Sequence, residues 1–160
     1  MRLSDNSTIV IPRVYIEYSK TMKNAVEDGG DEECEEIPLP TISTEVFAKI
    51  QEFLEYLRAN PEPTINKPII TGDIHDFTEQ WYADFIDFSI DKMDFLFDLL
   101  TAANFLDIKM LLELGCAKVA TYIKERDVQG IRELFGIEND FSPEEEKKII
   151  DENEWARNNF

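Results

Sequence analysis

Between Ser43 and Arg58 the apolar residues Val46, Phe47, Ile50, Phe53, Leu54 and Leu57 recur at steps of three and four, a spacing that an α-helix turns into one continuous face. A face of that width has to be covered, so the rest of the chain must supply partners for it. Two further runs do so. Ile90, Met93, Leu96, Leu100 and Ala103 trace one stripe, and Ile108, Leu111, Leu112, Cys116, Val119 and Ile123 trace another, with Asp107 placed to cap its start. These two helices are read as the central pair of a single hydrophobic core, which a chain of 160 residues can build.

The remainder punctuates that frame. Residues 7–18 alternate as a strand, with Ile9 and Ile11 on one face, until Pro12 interrupts the ladder. Ser19 to Val26 is short and weakly helical. It runs into the acidic loop 27–36, where seven of ten residues are acidic. The run IPLP, with prolines at 38 and 40, suits an edge strand or an extended entry into the helix that follows. A proline-containing loop spans 60–73, and Trp81, Phe85 and Phe88 resume the apolar pattern.

Beyond residue 126 the chain changes character. Asp127 is placed to cap a short helix through Phe135, with Val128, Ile131 and Leu134 on one side and Gly136 as its stop. Ser142-Pro143-Glu144-Glu145 then gives a capping box with proline at the first helical position, starting a helix expected to reach about Trp155. Both helices are too small to bury their own apolar stripes, which include Ile131, Phe135, Ile137, Phe141, Ile149, Ile150 and Trp155. Two readings stay open: the tail packs back on the first domain, or it lines a groove for a partner. Helices this short depend on packing for order, so the tail is expected to stay loose until it is covered.

A net charge of −18 repels phosphate backbones and anionic lipid, which argues against nucleic-acid and membrane partners. Cys34 and Cys116 are far apart and form neither a disulfide framework nor a zinc spacing, so a cytoplasmic and nuclear location is expected. The start lacks the basic and apolar blocks of a signal peptide, and no run is long enough to span a membrane.

Catalysis is poorly supported by the residue types. The one histidine, His75, lies near prolines with no cysteine beside it, and the acids flanking Cys34 disfavour its thiolate. With so many acids, carboxylate pairs arise by chance and mark no glycosidase site. The acidic loop lacks calcium-hand spacing, and no glycine-rich phosphate loop is present. No metal, cofactor or enzymatic activity is expected.

The runs AANFLDIKMLLELGCAKVATYIK at 102–124, IRELFGIENDFSPEEE at 131–146 and ENEW at 152–155 resemble the Skp family, the S-phase kinase-associated adaptors of SCF-type ubiquitin ligases. The resemblance is close over the last 60 residues or so and looser over 1–58. It implies an α+β, mostly helical BTB/POZ fold over 1–126, followed by a two-helix, F-box-binding extension over 127–160. It further implies a non-catalytic adaptor that holds F-box proteins on a cullin scaffold. Carried over by position, the F-box groove uses Leu112, Cys116, Val119 and Ile123 with Ile131, Phe135, Ile137, Phe141 and Trp155, and the cullin side uses Asn104 and Phe105. Pro143 matches a proline that some protist members hydroxylate and glycosylate. A weak homodimer is expected when no F-box is present.

Departures from the pattern bear mainly on the cullin side. Phe105 stands where the family usually has tyrosine, the segment Asp87 to Met93 is about three residues longer than usual, and Pro12 and Tyr15 stiffen the first part. An adaptor that binds F-box proteins without a cullin is therefore one alternative. Elongin C resembles only the BTB part and lacks the extension. From a different class, an acidic nucleic-acid mimic would act by charge alone and lose affinity steeply with salt.

Overall fold

The computed structural model describes residues 1–28, 37–124 and 126–153. Along them run β1 (Arg2–Leu3), a 3-10 turn (Arg13–Tyr18), α1 (Lys20–Asp28), β2 (Pro38–Leu39), α2 (Thr44–Ala59) and a second 3-10 turn (Ile74–Asp76). There follow α3 (Gln80–Ile86), a third 3-10 turn (Ile90–Lys92), α4 (Met93–Phe105), α5 (Lys109–Lys124), α6 (Val128–Phe135) and α7 (Pro143–Glu152). The chain divides into two compact units, Met1–Glu125 and Arg126–Phe160. Most of the expected acidic loop, with Cys34, and the expected last turn around Trp155 lie outside the described residues.

The first unit is built around α2. Ser43 Oγ accepts the Val46 N–H at 3.3 Å and starts the helix, and the six apolar residues of its periodic stripe are all buried. Phe53 is fully buried, with its ring 5.9 Å from Tyr82 and 5.5 Å from Phe85 of α3. The two strands pair in parallel, Arg2 with Pro38 and Leu3 with Leu39.

The strand expected over 7–18 does not form. Only Thr8 bridges to Arg2, and 13–18 is a 3-10 turn. The Ile9 N–H donates instead to the Met1 carbonyl at 2.8 Å, Pro12 has no N–H to continue a ladder, and its own carbonyl accepts from Tyr15 N. Ile9 and Ile11 still pack against the core, so the alternation reported a buried side without a paired strand.

The central pair forms with a different phase from the one its periodicity suggests. Helix α4 begins only at Met93, leaving Ile90 exposed in a turn, and it buries Leu99 where Leu100 was expected. Asp107 does not cap α5. It takes a left-handed backbone, φ 51°, its N–H donates to the Asn104 carbonyl, and the first helical bond runs from Leu112 N to the Ile108 carbonyl. Aspartate tolerates that conformation better than most residues, so it serves the turn and not the helix end.

Leu100 lies over Gly115 of α5, where an added Cβ would stand 2.4 Å from Leu100 Cδ2. We expect Gly115→Val to lower the unfolding free energy by about 1–3 kcal/mol through overpacking, measured by urea denaturation. An unchanged midpoint would mean that Leu100 swings aside without loss.

Candidate docking surface

Helix α5 carries apolar residues on two opposite sides. Its core side is Leu111, Leu114, Gly115, Ala117, Lys118 and Thr121. Its other side presents Leu112, Cys116, Val119 and Ile123, spaced four, three and four, so that they form one line along the helix. Leu112 and Val119 are half-buried, while Cys116 and Ile123 are exposed. The core-packing role expected of Cys116 is thereby corrected. Its thiol is exposed, because the helix turns Gly115 and Lys118 inward on either side of it.

Two polar residues take the place that sequence reasoning gave to the apolar line. Lys118 is 5% exposed, and its ammonium donates to Asp87 Oδ1 at 2.6 Å and lies 4.4 Å from the centre of the Tyr122 ring. The Tyr122 hydroxyl donates to the Phe88 carbonyl. Thr121 Oγ1 donates back to the Lys118 carbonyl at 2.7 Å, which satisfies its hydroxyl in the interior. Lys118 and Tyr122, one turn apart, thus grip the start of the 87–92 segment from the flank of α5. A lysine and a tyrosine four apart beside an apolar line were the available signal for this grip.

At the far end of α4, Asn104 and Phe105 are both exposed. Their backbone is fixed by α1. Thr21 Oγ1 donates to the Phe105 carbonyl at 2.8 Å, and the buried Ser19 hydroxyl donates to the Leu106 carbonyl at 2.5 Å while accepting the Met22 N–H. The exposed edge of Phe105 is therefore carried on a rigid corner.

In the second unit, Asp127 Oδ1 accepts the Gly130 N–H at 2.8 Å, and Gly136 closes α6 in a left-handed conformation, φ 62°. Ser142 and Glu145 form the reciprocal capping box of α7, with Pro143 exposed at its first position. The Ser142 N–H and hydroxyl both donate to the Glu145 carboxylate, and these bonds hold it below the usual carboxylate range. Ile131 and Phe135 are half-buried, Ile137, Phe141, Ile149 and Ile150 are exposed, and neither helix buries a residue fully among the described residues. Trp155 lies outside the described residues.

Among the described residues, the one histidine sits between two carboxylates. His75 Nδ1 lies 2.8 Å from Asp73 and Nε2 2.9 Å from Asp84 of α3, so both ring nitrogens face carboxylates. Those hydrogen bonds, Asp84 first, raise its pKa above 6.5. The raised value means that the brace contributes fully below about pH 6.5 and is lost as pH rises through the folded pKa. We expect the stability difference between wild type and His75→Gln to shrink from about pH 6 to pH 8 in parallel thermal melts. A difference constant over that range would rule the brace out. Among the described residues no group of three or more His, Cys, Asp or Glu could hold a metal ion, and no helix is long and apolar enough to cross a membrane.

Comparison with known proteins places this architecture. Models of the Skp1 family match both ends of the chain, its tetramerisation domain over residues 1–59 and its dimerisation domain over 109–156. An S-phase kinase-associated protein 1 homolog of Tetrahymena thermophila is 41% identical over 152 residues, which cover 95% of this chain and 89% of that protein. The chain belongs to the Skp1 family. Subunits named E3 ubiquitin ligase complex SCF subunit sconC are each 39% identical to this Skp1-family chain in Arthroderma benhamiae and Emericella nidulans. The matches cover 96% and 98% of this chain and 91% and 94% of those proteins. The mostly helical α+β architecture is thus that of the family's POZ domain with its C-terminal helices.

Proposed function

We propose that this chain is the non-catalytic adaptor subunit of an SCF-type E3 ubiquitin ligase, holding F-box proteins on a cullin scaffold. The observation that carries the reading is the outward line Leu112, Cys116, Val119 and Ile123 on a helix whose opposite side already fills the core. A chain of charge −18 keeps such a line partly exposed, at Cys116 and Ile123 above all, at a cost in aggregation, and a partner's apolar helix removes that cost. Together with Ile131, Phe135, Ile137, Phe141 and Trp155 of the second unit, it supplies apolar anchors for an F-box. Asn104 and Phe105 serve the cullin. The adaptor makes no bond itself and accelerates ubiquitin transfer by bringing substrate and ligase together.

Pro143, exposed at the start of α7, is the proposed modification site, and mass spectrometry of protein from its native source tests it. The free chain is proposed to form a weak homodimer through the uncovered apolar groups and to work in cytoplasm and nucleus.

The test of function is a titration with a purified F-box domain at low and high salt. Apolar docking predicts affinity that persists as salt rises, whereas charge-driven mimicry of nucleic acid predicts a steep loss. Absence of binding at either salt would overturn the adaptor reading. A cullin N-terminal domain added to the F-box complex separates the full adaptor, which binds it, from one that has lost its scaffold.

A further inference from the structure

The α6–α7 hairpin is held by polar contacts. Glu146, in the first turn of α7, accepts on a single carboxylate oxygen from Arg132 Nη1 of α6 and from Asn139 Nδ2 of the link, both at 3.2 Å. The other end of the Asn139 amide accepts the Phe141 N–H at 3.3 Å. The Arg132 carbonyl accepts the Ile137 N–H at 2.8 Å across the left-handed turn at Gly136. One carboxylate therefore ties together the last turns of α6, the middle of the link and the start of α7. The Arg132 side chain is 16% exposed and that of Glu146 41%, so the pair is sheltered on the arginine side only and solvent screening keeps its contribution modest.

The backbone on which these bonds converge is the one that carries Ile137 and Phe141, 54% and 47% exposed. About half of each side chain is covered, so burial holds the link only in part, and a link left loose would have its ordering entropy extracted at the moment of binding. We propose that Glu146 is a positioning residue of the docking surface, presetting the Ile137–Phe141 link so that a partner helix meets side chains already in place. The inference rests on the reading of the second unit as part of an F-box site. It predicts the opposite of a tail that orders only on binding.

Two measurements decide it: hydrogen exchange of the free chain, and titration with a purified F-box domain, each on wild type, Glu146→Ala and Glu146→Gln. In the free wild type, amides of 137–142 are expected to be protected, and Glu146→Ala should speed their exchange while leaving thermal unfolding of the first unit unchanged. The F-box domain should bind Glu146→Ala about fivefold more weakly. Glu146→Gln, which keeps an acceptor but not the charge, should fall between. Because Glu146 acts through the link, its effect on affinity should largely vanish in a Phe141→Ala background. Exchange of the wild-type link at the unprotected rate, an alanine variant that changes neither exchange nor affinity, or full additivity with Phe141→Ala would each overturn the proposal. If the F-box domain fails to bind wild type, the functional reading falls, and the exchange comparison still decides whether Glu146 sets the link.

Discussion

Lys118→Ala is expected to lower the unfolding free energy by about 2–4 kcal/mol, the largest effect of any substitution outside the apolar core. The ammonium is almost wholly buried and is satisfied by Asp87 at 2.6 Å and by the face of Tyr122. Removing it deletes the packing of a long aliphatic stem and leaves the 87–88 backbone tied to α5 by Tyr122 alone among the described contacts. Asp87 is nearly half exposed, so water partly rehydrates the orphaned carboxylate, and the figure lies below that for a fully buried pair. Lys118→Met, which restores the stem without the charge, should recover a good part of the loss. Chemical denaturation with m-values monitored gives the comparison, and a Lys118→Ala change below about 0.5 kcal/mol would show that the pair carries no net stability.

The second large effect is on binding. Ile123→Ala and Phe135→Ala should each weaken an F-box complex by about 2–4 kcal/mol if they are anchors, since truncating a buried apolar group removes its transfer energy and leaves a cavity. Ile123 is 36% exposed in the free chain, so its truncation should cost less in folding than in binding. That separation between binding and stability marks an interface residue. Affinity unchanged by both substitutions would remove both residues from the proposed F-box contact.

Much of the fold could be read from the sequence wherever the signal is local. The ends of α2, α6 and α7 were set by Ser43, Asp127 and the Ser142–Glu145 box, each satisfied within three residues of chain. What failed was decided by distant partners. Ile9 gave its N–H to Met1, and no alternation pattern contains that information. Helix α5 defeated its periodicity for a more instructive reason: a helix that feeds a core on one side and a partner on the other is apolar on both. Reading one stripe through Leu111, Leu112, Cys116 and Val119 merged the two, and Lys118 and Thr121 hid the true core side behind polar names. The docking role proposed for the α5 residues came from family resemblance alone, whereas the uncovered stripes of the tail were visible in the pattern, and only the folded chain separates the α5 line from the core.

The central claim is that the Leu112–Ile123 line is the face a partner covers, and Cys116, exposed in its middle, reports on it directly. In a Cys34→Ser background, the rate of Cys116 alkylation can be followed by mass spectrometry with and without a saturating F-box domain. The account predicts ready labelling of the free chain and labelling slowed at least about tenfold in the complex. Equal rates in the two states, with binding verified in the same sample, would place the partner elsewhere on the chain and contradict the claim.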